Sequence, residues 1–81
     1  MSQQGVFITG QTVFINAESR IFKQQPNQGA YREAVLQPNG EWKLEAGGHL
    51  DGKIRVIHDV WYAPKKTRAE AEAWVEELGS T

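Results

Sequence analysis

Apolar positions along this chain follow two different periods. Up to Tyr62 they alternate with polar residues or come in short β-branched and aromatic bursts, and after Thr67 they recur at helical spacing. The helical stretch is the clearest. In Thr67 to Leu78, TRAEAEAWVEEL, Ala71, Trp74, Val75 and Leu78 fall at i, i+3, i+4 and i+7 and make one apolar stripe. Thr67 followed by Glu70 is a capping box, in which the hydroxyl accepts from a free backbone N–H and the carboxylate returns a bond. Gly79 supplies a stop, and Pro64, Lys65 and Lys66 lead in as a loop. The expectation is that Thr67 caps residues 68–78, with Trp74 as the main core anchor. Three turns of helix are marginal alone, because nucleation is costly, so the stripe must lie on the preceding chain.

That preceding chain reads as strands. Gly5 to Thr9 and Thr12 to Asn16 are rich in β-branched and aromatic residues. Gly10-Gln11 between them suits a two-residue II′ turn, which would make a first hairpin with Phe7 opposite Phe14. Asn16 to Arg20 is polar and reads as a turn, Ile21-Phe22 as a short strand, and Lys23 to Gly29, with Pro26-Asn27, as a loop. Tyr31–Gln37 and Glu41–Ala46 read as a second hairpin around Pro38-Asn39-Gly40. A three-residue loop there pairs Leu36 with Trp42 and Ala34 with Leu44, and spares Pro38 a ladder position. Gly47-Gly48 reads as a break and Asp51-Gly52 as a turn. Residues 54–62, IRVIHDVWY, form the longest strand candidate. Strict alternation would put Ile54, Val56, His58, Val60 and Tyr62 on one face and Arg55, Ile57, Asp59 and Trp61 on the other.

The order hairpin, loop, hairpin, strand, helix predicts an α+β fold: a small antiparallel sheet of four or five strands, meander-like, open or strongly curled, with one C-terminal helix packed across it. Eighty-one residues are read as one domain, 1–81, with residues 1–4 frayed. A chain of this size has a thin core, and three tryptophans, three phenylalanines and two tyrosines help to fill it.

Composition narrows the chemistry. The absence of cysteine excludes cysteine-based zinc sites and favours a cytoplasmic setting. The start MSQQ lacks the charged and apolar regions of a signal peptide. No apolar run approaches the ~20 residues of a membrane span. A formal charge of -1 provides no global basic field for coating nucleic acid.

Candidate sites are few. His49 and His58, with Asp51 and Asp59 nearby, have no metal-site spacing, so no metal and no cofactor are expected. Ser19, Thr9 and Thr12 lack the sequence context of a nucleophile, and Glu33, Glu41 and Glu45 read as a solvated strand face, so no enzyme is expected. The glycines match no phosphate-binding loop. Lys65, Lys66 and Arg68 surround a helix start and could hold an anion, which together with aromatics and the cations Arg20, Lys23, Arg32, Lys53 and Arg55 would suit nucleic acid. An aromatic small-molecule pocket with His58 as its buried polar group is a further alternative.

The favoured reading is a non-catalytic protein-interaction module, with a homodimer among its forms. One helix can cover one sheet face only. Phe7, Phe14, Ile57 and Trp61 on the other face would then form an exposed patch for a protein partner.

Overall fold

The computed structural model describes residues 12–25, 29–50 and 54–79, with His49, Leu50 and Ile54 as backbone only. Five strands and one helix follow in order: β1 (Val13–Asn16), β2 (Arg20–Gln25), β3 (Ala30–Leu36), β4 (Trp42–Leu50), β5 (Ile54–Ala63) and α1 (Arg68–Glu76). The strands pair antiparallel in chain order, β1-β2-β3-β4-β5, and the C-terminal helix lies over β2 and β3. This is the α+β meander that the alternation predicts. The expected strand Gly5–Thr9, the Gly10-Gln11 turn, Pro26-Asn27 and the Asp51-Gly52 turn lie outside the described residues.

The β3–β4 hairpin has the register expected from its loop, with Leu36 opposite Trp42 and Ala34 opposite Leu44. Gly40 takes φ +92°, a left-handed conformation that costs glycine little, and its N–H donates to the Gln37 carbonyl at 3.0 Å. The Gln37 N–H donates to the Glu41 carbonyl at 2.7 Å and closes the loop. Asn39 adds a side-chain oxygen that accepts from the Glu41 N–H at 3.0 Å.

Two segments read as irregular are strand. Lys23–Gln25 continue β2, paired with β1 on one side and β3 on the other. Polar composition suggested a loop, but two neighbouring strands satisfy this backbone, and Lys23 donates to the Glu76 carbonyl at 3.2 Å. Gly47-Gly48 lie inside β4 rather than breaking the chain. Their missing side chains are a steric need. A Cβ on Gly47 would meet the Val56 carbonyl oxygen at 2.2 Å and the Tyr31 ring at 2.8 Å, and one on Gly48 would meet the Gly29 carbonyl at 2.6 Å.

At the same place the ladder slips. Ala46 pairs with Asp59, but Gly47 pairs with Ile57, which leaves His58 as an extra residue in β5. The bulge shifts the side-chain alternation of β5, so the strict two-face division of residues 54–62 does not hold. Following the register across the sheet, Ile21, Ala34, Leu44 and Trp61 share the helix side. Phe22, Glu33, Glu45 and Val60 share the other.

The core sits on the helix side. Ile21, Ala34, Trp42 and Leu44 from the sheet meet Ala71 and Val75 from α1, with Ala63 and Trp74 packed against them. The anchors of the stripe are therefore Ala71 and Val75. Trp74 is only partly buried, because it lies at the flank of the helix, edge-on to Trp61 with ring centroids 5.1 Å apart. The helix begins as expected: Glu70 N–H donates to Thr67 Oγ1 at 3.2 Å, and Thr67 N–H donates to Glu70 Oε1 at 2.8 Å. It ends at Glu76, and residues 77–79 form a turn that closes on Gly79 at φ +81°.

Candidate functional site

In a meander the last strand before the helix is an edge, and β5 is one: β4 is its neighbour and nothing among the described residues pairs with its other side. Residues 55–62 are all exposed. Among them, Val56, Ile57, Val60, Trp61 and Tyr62 are large apolar or aromatic side chains, with Ile57 57% and Tyr62 53% exposed. An edge strand also presents backbone N–H and C=O groups with no ladder partner. Among the described residues the opposite edge is β1, which is shorter and exposes Val13, Phe14 and Ile15.

The expected patch of Phe7, Phe14, Ile57 and Trp61 is not gathered on one face. Phe14 pairs in register with Lys23 and lies on the helix side of β1, 45% exposed. Trp61 lies on the helix side of β5, against Trp74, and Ile57 lies on the opposite face. Phe7 is outside the described residues. Phe14 and Trp61 therefore stand on opposite edges of the sheet. The bulge at His58 separates Ile57 from Trp61, and no periodic reading of the strand includes it. Val56, Val60 and Tyr62 were the residues missed. The signal for them was the meander itself, which makes strand 54–62 an edge with apolar side chains on both faces.

The face away from the helix keeps exposed apolar side chains at its margins, Val13 and Ile15 on β1 and Ile57, Val60 and Tyr62 on β5, while its centre is covered. Tyr31 is 0% and Phe22 5% exposed, with ring centroids 6.2 Å apart. Arginine side chains cover them. The Arg55 guanidinium lies 5.3 Å from each ring centroid, and Arg20 lies 5.1 Å from that of Phe22. Glu33 anchors both cations, at 2.5 Å from Arg20 and 4.0 Å from Arg55. The Tyr31 hydroxyl donates to Glu45 at 2.7 Å. Burial, and then this bond to a carboxylate, push the Tyr31 phenol up from 10.0 to about 12.

Of the anion candidates, Arg68 is engaged internally. Arg68 donates to the Ala17 carbonyl at 2.8 Å, to Asn16 Oδ1, and to Glu72 at 3.3 Å, and Asn16 donates in turn to Glu72. It therefore ties the helix start to the β1–β2 turn. The Thr67 backbone N–H, then its hydroxyl, and the nearby Lys66 charge hold the Glu70 carboxyl below its usual range. The helix N-terminus thus already faces a carboxylate of its own chain. Lys65 is exposed and Lys66 partly so.

Lys23 and Arg32, neighbours in the ladder, both point to the other end of α1. Lys23 donates to the Glu76 carbonyl, and Arg32 donates to the Trp74 carbonyl at 2.6 Å while stacking 4.7 Å from the Trp74 ring centroid. Two like charges are tolerated side by side because they share the negative end of a helix dipole.

His58 is exposed at the bulge, which removes it as the buried polar group of an aromatic pocket. Among the described residues no group of three or more histidine, aspartate or glutamate side chains is placed to hold a metal ion. No helix among them is long and apolar enough to cross a membrane. No protein-family model, curated protein or solved structure matches this chain.

Proposed function

We propose that this chain acts by non-covalent contact with another polypeptide, through the exposed apolar side chains of β5, and not by catalysis. The observation that carries the reading is the edge position of a ten-residue strand with five exposed large apolar side chains. Such clusters mark interaction surfaces. Aromatic side chains such as Trp61 and Tyr62 contribute most when a partner fully desolvates them. The engagement of Arg20, Arg32, Arg55 and Arg68 within the fold favours this reading over nucleic acid, which needs cations directed outward.

The test is photo-crosslinking in the producing cell, from a photoreactive residue placed at position 57 or, as control, at the exposed position 18. A discrete polypeptide adduct from 57 that is absent from 18 supports the reading. Equal labelling at both positions, or none at 57, overturns it.

A further inference from the structure

Resting on that reading, we infer that the partner of β5 is a second copy of this chain, joined antiparallel along the edge so that two five-stranded sheets become one. The shape of the strand selects the register. The bulge at His58 and the turn that starts at Pro64 bound a segment of unbroken register, Asp59–Ala63. An antiparallel pair related by a two-fold axis matches residues whose numbers have a constant sum, and the one register that uses the whole of this segment is centred on its middle residue, Trp61.

That register is chemically matched. Trp61 meets Trp61 of the second copy on the helix side, next to the Trp61–Trp74 edge contact already present. Val60 meets Tyr62 of the second copy on the other face, twice by symmetry, so exposed apolar groups cover one another. Asp59 comes opposite Ala63 of the second copy, at the strand end that continues into Lys65 and Lys66, which brings opposite charges together. Neighbouring registers are worse. One centred on Asp59 sets two carboxylates face to face and runs into the bulge. One centred on Val60 places Tyr62 against the bulged His58, and one centred on Tyr62 puts Pro64 into the ladder.

The closure of the pair also favours β5 with β5. Pairing β5 with β1 of another copy would be head-to-tail and leave both outer edges open, which leads to filaments, whereas β5 with β5 is isologous and stops at two. A standard stable interface takes about 800 Å² from each partner. That is roughly a sixth of the 5164 Å² the chain exposes, so side chains flanking the paired edge, Val56 and Ile57 among them, must be covered along with Asp59–Ala63.

The chain has no cysteine, so introduced thiols report cleanly. Val60→Cys and Tyr62→Cys both alter exposed positions, so their circular dichroism spectra are expected to match that of the unmodified chain. Facing residues in an antiparallel pair stand 4.5–5.5 Å apart at Cα, within disulfide reach. Light scattering of the unmodified chain is expected to rise with concentration from 9.1 kDa to a plateau at twice that mass. Oxidation of the two variants mixed together is expected to give the 60–62 heterodisulfide in clear excess over either homodisulfide. Val60→Asp should weaken association by about tenfold or more. Strict monomer up to ~1 mM overturns the inference. So does mass growth without a plateau, or a dimer that crosslinks through Phe14→Cys and not through β5. A strict monomer that still gives a position-57 adduct with another protein sinks the self-pairing alone. A monomer without any adduct sinks the interaction reading as well.

Discussion

The two faces of this sheet bury aromatic and aliphatic groups by different means. On one side Ile21, Ala34 and Leu44 lie under Ala71 and Val75 of the helix, apolar against apolar. On the other, Phe22 and Tyr31 reach the same degree of burial beneath Arg20 and Arg55, whose guanidinium groups stack on the rings while Glu33 holds them. A single helix therefore does not leave the second face bare. Long cationic side chains close over its centre, with their guanidinium groups over the rings and their charges paired. The apolar side chains that stay exposed lie mostly on the two outer strands, β1 and β5.

The largest effect is expected where the cover is purely apolar. Leu44→Ala should cost about 2–5 kcal/mol, since the helix and its neighbouring strands cannot fully collapse into the space. A urea midpoint within error of the unmodified chain would mean that the helix side is not the main core. Trp74→Ala should cost less than Leu44→Ala, because the ring is only partly buried.

The bulge is next. Gly47→Ala should cost about 1–3 kcal/mol, as its Cβ would run into the Val56 carbonyl and the Tyr31 ring. Both obstacles belong to packed groups, and a neutral result in thermal melts would show that the β4–β5 slip relaxes easily.

Tyr31→Phe probes the polar cover, and should cost about 1–2 kcal/mol by leaving Glu45 without its phenol donor. The same residue predicts an alkaline weakness. Its phenol is raised from 10.0 to about 12 in the folded chain, so the neutral form is favoured by folding. The resulting stability is fully present below pH 10 and is lost as pH rises through about 12. Urea midpoints across this range should fall more steeply for the unmodified chain than for Tyr31→Phe. Parallel curves would place the alkaline sensitivity elsewhere.

Arg55→Gln should be the mildest, about 0.5–1 kcal/mol, because its cation–π contacts are partly exposed to water. The loss should shrink little with added salt if stacking dominates and strongly if the Glu33 pair does. Denaturation at two ionic strengths separates the two.

Elements whose causes are local can be read from the order of residues alone. The Thr67–Glu70 box, the helical stripe, and the Pro38-Asn39-Gly40 loop with its Leu36–Trp42 register depend on residues within a few positions of one another, and all three were legible. The edge position of β5 follows from the meander order, but the alternation alone pointed to faces and not to an edge. Features that depend on distant neighbours emerge only once the chain is folded. Lys23–Gln25 are strand because β1 and β3 flank them, and Gly47-Gly48 are strand because β3 and β5 pair with them, where Val56, Tyr31 and Gly29 leave no room for a Cβ. Arg68 binds Asn16 and the Ala17 carbonyl, a contact across more than fifty residues of sequence. The extra residue at His58 carries the same lesson for the candidate site. A period-two pattern has no signal for an unpaired residue, so the strand alone set Ile57 and Trp61 side by side, and only the slip against β4 put them on opposite faces.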